Sequence, residues 1–183
     1  MKGKSDSVII LPTFNEIGNI EITLKKIENL SYKFDVIVVD DNSPDGTGSY
    51  VKEAINSNKF NININLIIRK GKEGLGTAYI EGFKRSLELK YSYIFQLDCD
   101  GSHDPKKLED LLNDLKNNNA DIAVGSRYIK GITVINWPLS RLLLSIFANY
   151  YVKVITGLDV NDSTGGFNGY TNKALNSIMK NKI

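Results

Sequence analysis

Apolar and polar residues alternate along the chain in two textures. Five short apolar runs, "SVIIL", "DVIVV", "INLII", "YIFQL" and "DIAVG", begin at positions 7, 35, 64, 93 and 121. Longer segments with apolar residues at helical spacing lie between them. Residues 16–30 place Ile20, Leu24 and Ile27 on one face, and residues 46–58 form a second such segment. Residues 74–90 offer Ala78, Phe83 and Leu87, and residues 105–117 offer Leu108, Leu111, Leu112 and Leu115. Strands separated by single helices predict βαβ units and an α/β fold: a mostly parallel central sheet flanked by helices. Runs that are apolar at nearly every position predict strands covered on both faces. The Asn-rich patches "NSNKFNIN" and "KNNNA" read as solvated turns. No repeat, flexible linker or boundary interrupts the pattern, so residues 1–183 read as one domain.

Composition narrows the function classes. A chain of 183 residues can bury a sizeable core. Its formal net charge of +2 gives no bulk electrostatic case for nucleic acid. The single cysteine, Cys99, rules out an internal disulfide framework, and the single histidine, His103, rules out a multi-histidine metal site. The N-terminal apolar run is too short for a secretory signal. The strongest apolar segment, "RLLLSIFANYYVKVITGL", is interrupted by Asn149 and Lys153 and falls short of the roughly 20 apolar residues of a spanning helix. It is amphipathic enough to lie in a membrane surface, and it also suits a helix packed on the sheet.

Four of the predicted strands end in polar clusters: "PTFNE" from Pro12, "DDNSPDG" from Asp40, "DCDGSHD" from Asp98 and "GSRY" from Gly125. In an open α/β sheet, ligands bind beyond the carboxyl ends of the strands, so the four clusters are expected along one edge. Asp98 and Asp100 project the same way from an extended segment. Two carboxylates so placed repel unless a cation lies between them, and Mg²⁺ or Mn²⁺ suits such oxygen ligands together with substrate phosphates. A turn, with Asp104 capping a helix from Pro105, accounts for the same stretch without metal, and both readings can hold at once. Cys99 points the other way and reads as a packed small residue. "DDNSPDG" is either a turn into a helix or a turn that also offers a carboxylate to ribose hydroxyls or a base edge. The Gly-rich stretch "GKEGLGTA" suits a flexible strand-to-helix loop or a close backbone approach to a ligand. Neither G-x-G-x-x-G nor G-x-x-x-x-G-K-[ST] occurs, which argues against a dinucleotide dehydrogenase or a P-loop enzyme. Arg127 and Arg141 are the candidate anion binders, with a snorkelling role open for Arg141.

The segments "VIILPTFNE", "VIVVDDNSPDGT", "GLGTAYIEGF", "LDCDGSHDP", "AVGSRY" and "DSTGGFNGY", in this order over residues 7–175, resemble the family 2 glycosyltransferases of the Rossmann-like GT-A fold. Within them the chain looks most like the polyprenol-phosphate (dolichol-phosphate) mannosyltransferases. The resemblance implies that Pro12, Phe14 and Glu16 line the nucleotide of a nucleotide sugar, and that Val39 and Asp41 contact base and ribose. It implies that Asp98, Cys99 and Asp100 form a D-x-D segment engaging diphosphate and metal, with Ser102 at a further metal-ligand position. Arg127, Arg141 and Ser145 would hold the acceptor lipid phosphate, Arg127 also touching the donor. Asp98, Asp100 and Arg127 would carry the catalysis. This chain departs from relatives at Phe14, where they have Tyr, at Ser102, where they often have Gln, and at Asn168, where they carry Arg. Relatives also continue beyond residue 183, so the chain is expected to be truncated at its C-terminus.

The function so implied is metal-dependent, inverting transfer of a sugar, foremost mannose from GDP-mannose, to a polyprenyl or dolichyl monophosphate. An ionised phosphate acceptor needs orientation and no general base, which suits a sequence without a convincing catalytic dyad; His103 reads as structural. The implied partners are GDP-mannose, the lipid phosphate and a membrane surface, with Mg²⁺ or Mn²⁺ as cofactor and no nucleic acid. The implied location is the cytoplasm, at the cytoplasmic face of a membrane. Transfer of glucose or another sugar to undecaprenyl phosphate or a glycan is one alternative, and a non-catalytic nucleotide-sugar-binding fragment is another.

Overall fold

The computed structural model describes residues 3–126, 139–157, 162 and 165–180, with backbone alone for 139–143. The element order is β1 (Ser7–Thr13), α1 (Ile20–Glu28), β2 (Asp35–Asp40), α2 (Thr47–Asn56), β3 (Ile64–Ile68), α3 (Leu75–Glu88), β4 (Tyr93–Gln96), α4 (Lys107–Asn117), β5 (Ile122–Val124), α5 (Leu139–Thr156), β6 (Asn168–Thr171) and α6 (Asn172–Lys180). The strands form one sheet in the order β3-β2-β1-β4-β6-β5. The pairs β3/β2, β2/β1 and β1/β4 are parallel, while β6 runs antiparallel to both neighbours. The sheet is therefore mostly parallel, as the alternation of strand and helix implies.

Strand alternation sorts the core into two layers. Ile9 and Leu11 of β1, Val36 and Val38 of β2, and Phe95 of β4 face a layer completed by Leu24 of α1, Val51 of α2 and Leu108 of α4. Val8, Ile10, Ile37, Val39 and Ile94 face the opposite layer, with Ala78, Tyr79 and Phe83 of α3 and Leu175 of α6. Phe34 meets Phe95 edge-on at 5.5 Å in the first layer; burying a side chain of this size stabilises by about 1.5–3 kcal/mol. Helix α3 rides close on β1. A Cβ on Gly82 would lie 2.3 Å from Ile10 Cγ2. This approach lays the first turns of α3, with Tyr79, beside the end of β4.

Two expectations are corrected and one strand is added. Full coverage on both faces holds for β1 and β2, whereas the edge strands β3 and β5 are part-exposed. Strand β6 has no apolar run to announce it; its residues Asn168, Gly169 and Tyr170 are held by ladders on both sides. The helix after β4 begins at Lys107, two residues beyond Pro105. Asp104 Oδ1 accepts from the Lys106 N–H at 3.1 Å, so it shapes the turn that leads into α4 and makes no cap bond at the helix terminus itself.

Candidate active site

The chain runs from β1 outward to β2 and β3, then crosses to β4 on the other side of β1. Such a switch in direction opens a crevice beyond the strand ends. A cleft of about 260 Å³ lies there. Pro12, Thr13, Phe14 and Glu16 enter it from the end of β1, and Asp41 from the end of β2. Lys72 enters from the β3–α3 connection, Leu75 and Ala78 from the first turn of α3, and Asp98, Cys99 and Asp100 from beyond β4. The Gly-rich stretch thus delivers its flank to the cleft. Hydrogen bonds tie the walls together. The Asp41 N–H donates to the Thr13 carbonyl at 3.0 Å, and the Glu16 N–H to Thr47 Oγ1 at 3.0 Å.

The adjacent aspartates at the end of β2 divide the work. Asp40 accepts from Thr13 Oγ1 at 2.8 Å, from the Ser43 N–H at 2.9 Å and from Ser43 Oγ at 2.7 Å. It is a buried organiser of the turn. Asp41 faces the cleft and accepts from Arg69 Nη1 at 2.6 Å. Arg69 also donates to Glu73 Oε2 at 2.9 Å and Thr77 Oγ1 at 2.6 Å, and its Nε lies 3.2 Å from Glu81 Oε2. This buried arginine escaped sequence reasoning. The available signal was its place directly after the apolar run of β3, on the same sheet edge as the acidic clusters.

Beyond β4 the chain leaves the ladder at Gln96, which pairs with Ile10. The expectation of an extended segment through Asp98 and Asp100 carries the strand too far, because a turn intervenes. Asp98 is half-buried and Asp100 exposed. Tyr79 donates to Asp98 Oδ1 at 2.6 Å. Burial raises the Asp98 carboxyl above its ordinary pKa; the Tyr79 bond opposes that, and the nearby negative charge of Asp100 adds to it. Tyr79 itself is pushed up by burial and by the Asp98 charge. Cys99 packs inward beside Thr23, and burial pushes its thiol up to about 12. Ser102 is exposed and does not line the cleft; its N–H donates to Asp100 Oδ1 at 2.9 Å. His103 stacks on Phe167 at 4.9 Å.

Not every expected residue reaches the cleft. Val39 is fully buried beneath α3 and does not line it. Arg127 lies outside the described residues, as does the side chain of Arg141; Ser145 sits half-buried on α5. Among the described residues, no group of three or more His, Cys, Asp or Glu could hold a metal. Asp98 and Asp100 nevertheless fit a divalent cation by the chemistry of their donor set. Both offer hard oxygen, their mutual repulsion is relieved by positive charge, and Mg²⁺ takes one or two carboxylates with substrate oxygens and water.

A larger cleft, about 410 Å³, lies at the opposite edge of the sheet, around Lys4, Asp35, Asn63 and Tyr91. Asp35 is fully buried there and already accepts from Tyr91 Oη at 2.9 Å, Asn63 Nδ2 at 3.0 Å and the Ser5 N–H at 3.2 Å. Its carboxylate is spent on the fold.

The family model described as glycosyl transferase family 2 matches residues 8–179. The polyprenol monophosphomannose synthase of Mycolicibacterium smegmatis is 38% identical over 172 residues, covering 94% of this chain and 64% of the relative. The undecaprenyl-phosphate mannosyltransferase of Micrococcus luteus is 37% identical over 169 residues, covering 92% and 68%. The chain therefore spans about two-thirds of the length of these curated relatives. The solved structure of a mannosyltransferase from Pyrobaculum calidifontis, in complex with GDP-Man and Mn²⁺, matches at TM-score 0.66 and 17% identity over 96% of this chain and 47% of that one. That likeness concerns the fold, which is the GT-A arrangement.

Proposed function

Since the chain belongs to glycosyl transferase family 2, we propose that it transfers mannose from GDP-mannose to a polyprenyl or dolichyl monophosphate, with inversion at the anomeric carbon. The observation that carries this reading is the cleft at the switch point, where Asp41, Asp98 and Asp100 converge beside Pro12, Phe14 and Glu16. The names of the two relatives, both for mannosyl transfer to lipid phosphates, favour the substrate pair.

Each residue has a role in this account. Phe14 and Pro12 give the nucleoside an apolar wall, with Glu16 at its rim. Asp41, steadied by Arg69, offers its remaining oxygen to a ribose hydroxyl or a base N–H. Asp98 and Asp100 would hold Mg²⁺ or Mn²⁺ beside the diphosphate, and the Ser102 N–H steadies Asp100. When bound, such a cation would supply positive charge against the negative charge of the departing nucleoside diphosphate. Arg127, Arg141 and Ser145 hold the acceptor phosphate. An oxygen of that phosphate attacks the anomeric carbon from the face opposite the diphosphate. The new carbon–oxygen bond forms as the bond to GDP breaks. The acceptor is ionised near neutral pH, so orientation replaces a general base.

Helix α5 supports a location at the bilayer. Its less exposed positions are Ser145, Ala148, Asn149 and Val152, while Leu144, Phe147, Tyr150, Tyr151, Val154 and Ile155 are exposed. A helix packed on a core would show the reverse pattern. The arrangement suits a helix lying in a membrane surface. No helix among the described residues is long and apolar enough to cross a membrane. Titration calorimetry with GDP-mannose and UDP-glucose, each with and without Mn²⁺, tests the donor assignment. Tighter, Mn²⁺-dependent binding of GDP-mannose is expected; preference for UDP-glucose contradicts it.

A further inference from the structure

We infer that Tyr79 is a positioning residue for the donor site, clamping Asp98 against Gly166 so that its carboxylate meets the cation in one orientation. The inference rests on the proposal that Asp98 and Asp100 hold a divalent metal, and it assigns a role to a residue outside the cleft lining.

The clamp has two jaws on different elements. Tyr79, one turn into α3 and 5% exposed, donates to Asp98 Oδ1 at 2.6 Å. Gly166, just before β6, forms the other. A Cβ placed there would lie 3.2 Å from Asp98 Oδ2, so a side chain at 166 would press on the carboxylate. Asp100 differs: it is exposed, and it accepts from the Ser102 N–H within its own turn.

The tyrosine is itself held. Its ring stacks on Phe83 at 6.1 Å and 26°, in the core layer that Gly82 brings close to β1. The hydroxyl therefore reaches Asp98 from a rigid helix. Partners of this kind orient ligating carboxylates, and their loss typically costs about 10–100-fold in metal affinity.

The test measures Mn²⁺ binding directly, by electron paramagnetic resonance of free Mn²⁺ in the presence of saturating GDP. Wild type, Tyr79→Phe and Asp98→Asn are compared, with thermal midpoints recorded for each. The phenylalanine keeps the ring and removes the hydroxyl. The expected result is a Mn²⁺ dissociation constant raised about tenfold in Tyr79→Phe at a midpoint close to wild type. Transfer activity of the variant should be recovered by raising Mn²⁺. Should Tyr79→Phe fold poorly, Gly166→Ala probes the other jaw, and the same weakening is expected. Equal Mn²⁺ affinity in wild type and a folded clamp variant overturns this inference and leaves the acidic pair standing. Absence of Mn²⁺ binding in wild type, or unchanged binding in Asp98→Asn, overturns the metal site itself and the clamp with it.

Discussion

Arg69 Nη1 lies 2.6 Å from Asp41 Oδ1, in an ion pair whose side chains are only 3% and 7% exposed. The arginine on β3's exit thereby fixes the carboxylate that β2 presents to the cleft. Glu73 and Glu81 add charge around the same guanidinium. Removing one partner of a buried pair leaves the other desolvated and uncompensated, at a cost of about 3–5 kcal/mol. Arg69→Ala is expected to lose stability on that scale. Urea denaturation checks it, and a loss below about 1 kcal/mol would show that water already screens the pair.

Asp98 supplies a second test, with the opposite sign. Its folded-state pKa is raised, through burial first and the Asp100 charge as a further cause. Above the ordinary value of 3.8 the unfolded chain releases this proton, while the folded chain retains it to higher pH. Stability therefore falls as pH rises from about 4 through the folded pKa. Asp98→Asn keeps an acceptor for Tyr79 and removes the charge. In the presence of chelator it should raise the thermal midpoint at pH 7 above that of wild type. The gain should vanish near pH 3. A lower midpoint at pH 7 would mean that the ionised carboxylate stabilises the fold.

The contrast between these residues shows what the sequence made legible. Asp98, Asp100 and Asp41 stand out as carboxylates at the ends of apolar runs, and sheet geometry brings them to one cleft. Asp40 and Asp41 look alike in sequence. Only the packing of Thr13 and Ser43 against Asp40 separates the organiser from the cleft wall. Val39 was placed by motif, yet strand alternation turns it under α3. Tyr79 was hidden because a tyrosine in an amphipathic helix gives no sign that its hydroxyl reaches 19 residues ahead. Strand β6 was hidden for a related reason: "NGYT" becomes a strand through its neighbours on both sides, which no local pattern records.

The closeness of α3 to β1 is testable at Gly82. A methyl there meets Ile10 Cγ2, and overpacking of this kind costs about 1–3 kcal/mol. Gly82→Ala should lower stability by that amount and, by lifting α3, weaken Mn²⁺ binding at Asp98. Pairing it with Ile10→Ala, which removes Cγ2 itself, should cost less stability than the sum of the two single changes and return part of the Mn²⁺ binding. A Gly82→Ala protein as stable as wild type would contradict the packing described.

The inverted exposure of α5 predicts partition onto vesicles. Phe147 and Tyr151 are 66% and 58% exposed, so replacing both with serine should leave the thermal midpoint within about 1 °C. Their burial in a bilayer surface would contribute about 1.5–3 kcal/mol each. Co-sedimentation with liposomes containing anionic lipid should fall more than tenfold, on the order of what that burial implies. Equal sedimentation of the two proteins would remove α5 as the contact.

The central claim is met most directly by following radiolabelled sugar into lipid. The protein is incubated with a polyprenyl phosphate, Mn²⁺ and either labelled GDP-mannose or labelled UDP-glucose, and the organic phase is counted. The account predicts label in the lipid from GDP-mannose, lost on chelation and lost in Asp100→Ala. Label arriving from UDP-glucose alone, or transfer undiminished in Asp100→Ala, would contradict it.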